Sequence, residues 1–237
     1  MRKLKISVKN LSKDFENKKV LKKLNLNVFE SESLAIIGES GSGKSVLTRC
    51  IIGLTKFNKG QIQYNNISDI KKLNEKNKNN YISKFGILFQ NSALLDSLTI
   101  KENLKIAKNL IDFSDILYDV ALPESILDCY PSDLSVGMQK RVGIARAILK
   151  EPEVLIFDEP TTGLDPIIAR QINLLIKKLV KQKKITTITV THDMDSVYEF
   201  ADYVAYIENG RIAWYGNAKS IKNNNNKSLK NFIKGVC

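Results

Sequence analysis

The sequence predicts an α/β domain with a parallel central sheet, an antiparallel edge and a small inserted helical layer, and three observations carry that prediction. The first is Gly38-Glu39-Ser40-Gly41-Ser42-Gly43-Lys44-Ser45, which fits G-x-x-x-x-G-K-[ST] at every fixed position. It stands between a short apolar run, Ser33-Leu34-Ala35-Ile36-Ile37, and a stretch from Val46 to Ile52 that can continue as a helix. The second is the return of short strand-like runs, Phe85-Gly86-Ile87-Leu88-Phe89, Val154-Leu155-Ile156-Phe157 and Thr186 to Val190, each with helical pattern after it, as buried parallel strands require. The third is strict alternation near the start: Leu4, Ile6 and Val8 with Lys5, Ser7 and Lys9, and Leu24, Leu26 and Val28 with asparagines between, which reads as two half-exposed strands.

Taken in order, Gly60 to Tyr64 with the Asn65-Asn66 turn pair suggests a further hairpin edge after the first helix. Residues 68 to 84 are polar, and the strand from Phe85 ends at Gln90. Residues 99 to 130 are helical in pattern, opening with Thr99 and Glu102 in the capping-box arrangement and placing Leu104, Ala107, Leu110 and Ile111 on one face. A helix from Val136 to Leu149 precedes Val154–Phe157, which Asp158-Glu159-Pro160 closes; a helix from Ile167 to Lys181, a strand Thr186 to Val190 and a helix from Met194 to Phe200 follow. Tyr203 to Glu208 and Arg211 to Tyr215 flank Asn209-Gly210, a two-residue hairpin signal. The asparagine run 223 to 226 reads as a mobile connector to a short helix, Leu229 to Ile233. The expected organisation is one domain over 1–237, with a helical subdomain at about 91–150 and a flexible extension at 223–237.

At 237 residues and 43% hydrophobic content the chain can bury a substantial core. Its longest apolar runs fall far below the roughly 20 residues that cross a bilayer, and Met1-Arg2-Lys3-Leu4-Lys5 leads into no apolar signal region, so a cytosolic protein is expected. Cys50, Cys129 and Cys237 are widely spaced and lack metal-type spacing, which points to reduced thiols rather than a disulfide or zinc site. A net charge of +12 attracts anionic partners in principle, but the lysines are scattered among asparagines and isoleucines, as in Lys71-Lys72 and Lys183-Lys184. Solvated surface is the expectation, and nucleic acid is not expected as a partner.

The chemistry gathers at strand ends. Glycines let the loop bend round a phosphate chain with backbone N–H groups turned inward, and the following helix adds its positive end. Lys44 is placed for the β- and γ-phosphates of a nucleotide, and Ser45 for Mg²⁺. Asp158, at the end of an apolar strand, can hold the same Mg²⁺ through water, and Glu159 beside it can polarise the water that attacks the γ-phosphate. His192, the one histidine, also stands just past a strand, so Lys44, Asp158 and His192 should share one edge of a parallel sheet, where ligands bind in open α/β folds.

The phosphate loop, Gln90 after a strand, Leu134-Ser135-Val136-Gly137-Met138 opening a helix, Ile156-Phe157-Asp158-Glu159, Gly163-Leu164-Asp165 and His192 stand in the order seen in ABC-type ATPases, and the resemblance spans essentially the whole chain. It implies a P-loop NTPase of ABC type with an antiparallel β edge and a small helical subdomain, hydrolysing ATP with Mg²⁺. Within it, Phe15 matches the aromatic residue on which adenine stacks, Gln90 joins Ser45 and Asp158 around the metal, and Glu159, His192 and Gln90 serve the attacking water. The resemblance further implies a homodimer sandwiching two nucleotides, with Ser135 and Gly137 acting across the interface and Asp165 among the nucleotide-binding residues. Val136 takes a place usually held by glycine, and Met138 one often held by glutamine.

Phe89-Gln90-Asn91-Ser92-Ala93-Leu94-Leu95-Asp96-Ser97-Leu98-Thr99-Ile100, Glu102-Asn103 and Gly137-Met138-Gln139-Lys140-Arg141-Val142-Gly143 look most like the Mla/Mce-type ATPases of phospholipid transport. That resemblance implies a peripheral subunit on the cytoplasmic face of the cell membrane, bound to an integral permease and served by a periplasmic or membrane-anchored lipid-binding subunit. The apolar segment Ala93-Leu94-Leu95 with Leu98 is expected to form, with the helical layer, a groove that receives a permease helix, the alternative being that these side chains fold back into the core. The rival is a soluble mechanical ATPase acting on nucleic acid or in iron–sulfur cluster assembly; a single ATPase unit without a coiled-coil insertion or zinc cysteines argues against it.

Overall fold

In the computed structural model, which describes residues 2–16 and 18–235, the chain opens with two long antiparallel strands, β1 (Leu4–Phe15) and β2 (Lys18–Phe29). The alternation buries Ile6, Val8, Leu24, Leu26 and Val28 as expected, whereas Leu4, expected on the same side, is exposed at the start of β1. The polar side of β1 is not all solvated: Lys5 and Ser7 are buried too, Lys5 Nζ against Glu153 at 2.6 Å and Ser7 Oγ against Asn27 Oδ1 at 3.0 Å. A fully buried β3 (Ser33–Ile37) runs through the glycine loop into α1 (Lys44–Ile52), and β4 (Lys59–Tyr64) returns along β1. The hairpin expected at Asn65-Asn66 shrinks to one bridge, Tyr64 to Ile67.

The polar stretch that follows contains a helix, α2 (Glu75–Ile82), held by its ends. The Asn74 side chain accepts from Asn77 N, and buried Tyr81 donates its hydroxyl to the Ile51 carbonyl and packs edge-on against Tyr64 at 5.3 Å. After β5 (Phe85–Leu88) the helical layer begins with α3 (Ile100–Lys105), whose Thr99–Glu102 capping box is fully formed, and α4 (Ser114–Asp119). Because α3 stops at Lys105, Leu104 is buried while Ile111, expected on the same face, is 98% exposed. Asn103 is fully buried and ties the preceding loop down, accepting from Leu95 N and donating to the carbonyls of Leu95, Leu98 and Thr99. The remaining elements lie close to their expected bounds: α5 (Val136–Ile148), β6 (Val154–Asp158), α6 (Pro166–Lys183), β7 (Thr186–Val190), α7 (Met194–Phe200), β8 (Tyr203–Glu208), β9 (Arg211–Asn217) and α8 (Lys227–Lys234).

Two sheets result. One has the order β5-β6-β7-β3-β8-β9 and is parallel except for β9, which forms the Asn209-Gly210 hairpin; the other is antiparallel, in the order β2-β1-β4. The expected antiparallel edge is therefore a separate sheet packed on the first through Ile6, Val8, Leu26, Leu34, Ile36 and Ile156. The helical layer has its own core, Ile100, Leu104 and Leu117 against Val142 and Leu155. Residues 223–235 contribute to a third cluster: Leu229 is fully buried with Ala35, Ile37 and Tyr206, and buried Asn224 donates to the carbonyl of Ile221 in the same cluster. Cys50 is buried and Cys129 half-buried, whereas Cys237 lies outside the described residues. In the parallel register Ile36 faces Val190 across β7, and Val190 faces Asp158, which brings the carboxyl ends of β3, β7 and β6 to one edge.

Candidate functional site

At that edge the glycine loop is curled by backbone angles that side chains resist. Gly38, Gly41 and Gly43 have φ of 150°, 77° and 107°. A side chain at Gly43 would lie 2.8 Å from Leu21 Cδ2, and one at Gly38 2.3 Å from the Ile207 carbonyl oxygen, so both positions need glycine for space as well as conformation. Buried Lys44 donates to the carbonyls of Gly38 and Glu39 at 2.8 and 2.9 Å, so the loop closes round its own lysine. Burial lowers the Lys44 pKa, and Glu159 and Asp158 oppose that shift. Ser42 Oγ is buried without a hydrogen-bond partner among the described residues. Beside it opens a cleft of about 250 Å³ walled by Lys19, Val20, Glu39, Ser40, Ser42 and Asn209. An ammonium held at the loop, an orphaned hydroxyl and a basic cleft suit a polyphosphate.

The acidic partners meet it from the end of β6, with His192 following β7. Ser45 Oγ donates to Asp158 Oδ1 at 3.0 Å, linking the two side chains expected at a metal. Burial raises the Asp158 pKa, with the Ser45 hydrogen bond opposing and the charge of Glu159 adding to it, a balance that a bound cation would reverse. Such an ion fits an all-oxygen set of hydroxyl and carboxylate. Glu159 sits in the left-handed region at φ 53°, a strained backbone for a non-glycine residue, fixed by its N–H donating to the Val190 carbonyl at 2.8 Å. Its carboxylate then lies 2.9 Å from His192 Nδ1 and accepts from Thr162 Oγ1 at 3.1 Å. Glu159 is largely buried and His192 63% exposed, so the pair sits at the rim of the site.

The other expected residues are arranged differently. Gln90 is exposed, and it is its backbone carbonyl that is engaged, accepting from Lys140 Nζ. Phe15 is half exposed at the end of β1, paired in register with Lys18 and overlaid by Lys13 Nζ at 4.4 Å from the ring centre. Ser135 and Asp165 are exposed and cap helices: Ser135 Oγ accepts from Met138 N at the start of α5, and Asp165 Oδ1 from Ile167 N and Ile168 N at the start of α6. Gly137 is buried, and a side chain there would meet Ile168 Cγ2 at 2.7 Å, so within the subunit its bareness serves the packing of α5 on α6. Val136 is 51% exposed beside it. Two contributors were missed in the sequence: Thr162, three residues after Glu159 in the same turn, and Lys140, whose signal is a cation at a helix position otherwise in register with buried Gly137 and Ile144.

Comparison with known proteins agrees with this geometry. Residues 21–162 match the family model described as ABC transporter. The methionine import ATP-binding protein MetN of Clostridioides difficile is 34% identical over 237 residues, spanning 96% of this chain and 73% of that protein. The structure of cbiO1 from Clostridium perfringens, part of the ABC transporter complex cbiONQ, superposes with a TM-score of 0.83 at 28% identity, covering 98% of this chain and 96% of that one. The dimeric post-hydrolysis state of the ATP-binding cassette MJ0796 bound to ADP and Pi gives a TM-score of 0.80 at 29% identity over 90% of this chain and 98% of that one. With the phosphate loop, the Asp158–Glu159 strand end and the Ser135 segment all inside the matched region, the chain belongs to the ABC transporter family, as an ATP-binding subunit that hydrolyses ATP with Mg²⁺.

Proposed function

We propose that this chain is the motor subunit of a membrane importer, and that the Glu159–His192 pair facing Lys44 and Ser45–Asp158 is its hydrolytic centre. The observation that carries the reading is the 2.9 Å contact between His192 and the carboxylate of Glu159, a base held in a strained turn beside a phosphate loop. Adenine stacks on Phe15, the loop from Gly38 to Ser45, including Glu39, Ser40 and Gly41, wraps the phosphates, and Lys44 exchanges its two loop carbonyls for phosphate oxygens. Ser45, Asp158 and Gln90 would hold Mg²⁺, which would supply charge neutralisation to the phosphates when bound. Glu159 takes a proton from the water that attacks the γ-phosphorus in line as the bond to the β–γ bridging oxygen breaks, and His192 orients that carboxylate. Ser135, the amino end of α5 at Gly137, and Asp165 complete the site of a second copy, with exposed Val136 in the same face.

The permease is received in a groove of about 360 Å³ between the sheet and the helical layer, walled by Ile82, Phe85, Ile87, Phe89, Ile106 and Arg146. The segment expected to face it lies elsewhere, with Ala93 and Leu95 exposed and Leu94 packed into the helical core. No helix among the described residues is long and apolar enough to cross a membrane, so attachment to the cytoplasmic face runs through that partner. For the cargo, the names of similar proteins favour import of a small solute such as methionine. The segments around Gln90 and Met138 favour phospholipid as a second reading, in which a lipid-binding subunit joins the assembly; the comparisons offer it no support. The test of the hydrolytic centre is Glu159→Gln: ATP binding persists while turnover falls by at least about a hundredfold. Near-normal turnover would remove Glu159 from the role.

A further inference from the structure

The face of α5 that follows Ser135 grips the chain leaving β5 at successive points. Lys140 is 2% exposed, donates to the Gln90 carbonyl, and lies 3.5 Å from the Glu159 carbonyl. Three residues on, Gly143 lets the helix approach so closely that a side chain there would meet Leu88 Cδ1 at 2.6 Å and Ser92 Cβ at 3.3 Å. Three further on, Arg146 Nη2 donates to the Ser92 carbonyl at 2.8 Å. Spacing of three places all of them along one side of the helix. The gripped segment is itself unrelaxed: Ser92 and Ala93 are consecutive non-glycine residues at φ 56° and 47°, which persist only where neighbours hold them. A lysine this deeply buried is costly unless its ammonium is bonded, and here it is spent on two main-chain carbonyls of the catalytic edge rather than on a carboxylate side chain.

We propose that Lys140 is a positioning residue for ATP hydrolysis, which together with Arg146 locks the Gln90–Ser92 segment to helix α5 and so moves Gln90 and the Ser135 end of the helix as one body. The clamp joins the part of the site contributed to the chain's own nucleotide to the part offered to a second copy. It extends to Glu159 through the main-chain carbonyl, beside the base but without touching its carboxylate. This assignment rests on the role given to Gln90 above.

The test is a double-mutant cycle on the full chain between Lys140→Met and Gln90→Ala, with steady-state ATPase kinetics and hydrogen exchange of the 89–93 amides. Lys140→Met is expected to lower kcat about tenfold with the KM for ATP within twofold, and to speed exchange at Ser92 and Ala93, whose N–H groups bond Phe89 and Asn91 carbonyls. Lys140→Arg, which restores a cationic donor, recovers most of the rate. In the Gln90→Ala background Lys140→Met has little further effect, because the residue acts through Gln90. Should Lys140→Met fail to fold, Arg146→Met, which frees the Ser92 carbonyl at the other end of the clamp, is read by the same criteria. Unchanged kcat in a folded variant, a rise in KM matching the fall in kcat, or losses that multiply in the double variant would each overturn the proposal. Wild-type turnover in Gln90→Ala alone would instead remove Gln90 from catalysis, and the clamp with it.

Discussion

Replacing Glu153 by glutamine removes one charge and little volume from the joint between the two sheets. The carboxylate lies 2.6 Å from Lys5 Nζ and 2.6 Å from Lys84 Nζ, and accepts from the Tyr64 hydroxyl at 2.9 Å, so it binds β1, β4 and the start of β5 to the start of β6. Burial works against its ionisation, but the Lys5, Lys84 and Tyr64 hydrogen bonds outweigh it and hold the pKa down from 4.5 to about 2. At full strength that depression corresponds to roughly 3 kcal/mol. With 36% of the side chain exposed, solvent screening brings it to about 1–2 kcal/mol. In the variant, the one carboxylate left against buried Lys5 among the described residues is Glu30, at 3.9 Å. Because the folded pKa lies below the unfolded one, the stabilisation is complete above about pH 4.5 and disappears as pH falls toward about 2. Paired urea titrations of wild type and Glu153→Gln at pH 7, 5, 4 and 3 should therefore show a gap of about 1–2 kcal/mol at pH 7, worth about 3–6 °C in Tm, that narrows at the two lowest values. A gap that is absent at pH 7, or that stays constant as pH falls, would refute the reasoning.

Two further perturbations probe other parts of the account. Gly86→Ala puts a methyl 2.2 Å from the Ala147 carbonyl oxygen and 2.7 Å from Leu155 Cδ2, where β5 packs under α5; a loss of about 3 kcal/mol is expected in denaturant titrations, and an unshifted midpoint would contradict the packing. Ile106→Asp alters a residue 54% exposed in the groove, so the protein should fold and bind ATP yet fail to co-purify with its membrane subunit; retention of that subunit would move the docking surface elsewhere.

The parts of the fold legible in the sequence are those where one interaction dominates. β3, β6 and β7 are buried throughout, so apolar runs mark them, and the residues at their ends inherit a common edge from parallel pairing. Helix α2 was not legible, because its stability comes from an asparagine cap and one buried tyrosine rather than from an apolar stripe. The reach of α3 was overestimated for a related reason: periodicity continued to Ile111, but the capping box specifies only where a helix starts. In a chain with 37 lysines and arginines, composition marks lysine as surface, and Lys5, Lys44 and Lys140 are buried for partners that are distant in sequence or are main-chain carbonyls. At the site, the sequence brought Ser45 and Asp158 to one metal and Asp158 and His192 to one edge, whereas the direct Ser45–Asp158 and Thr162–Glu159 hydrogen bonds, and the turn strain at Glu159, exist only in three dimensions.

The central claim is that each hydrolytic centre is built from two copies of this chain, one supplying Lys44 and Glu159 and the other the exposed Ser135 end of α5. The most direct measurement mixes two variants that should each be inactive, Lys44→Ala and Ser135→Arg, in equal amounts and follows phosphate release. Half of the dimers are then mixed, each with one intact site and one doubly impaired site, so activity should recover to roughly a quarter of wild type if sites fire independently. No recovery, with mixed dimers demonstrated by differential tagging, would contradict a shared site.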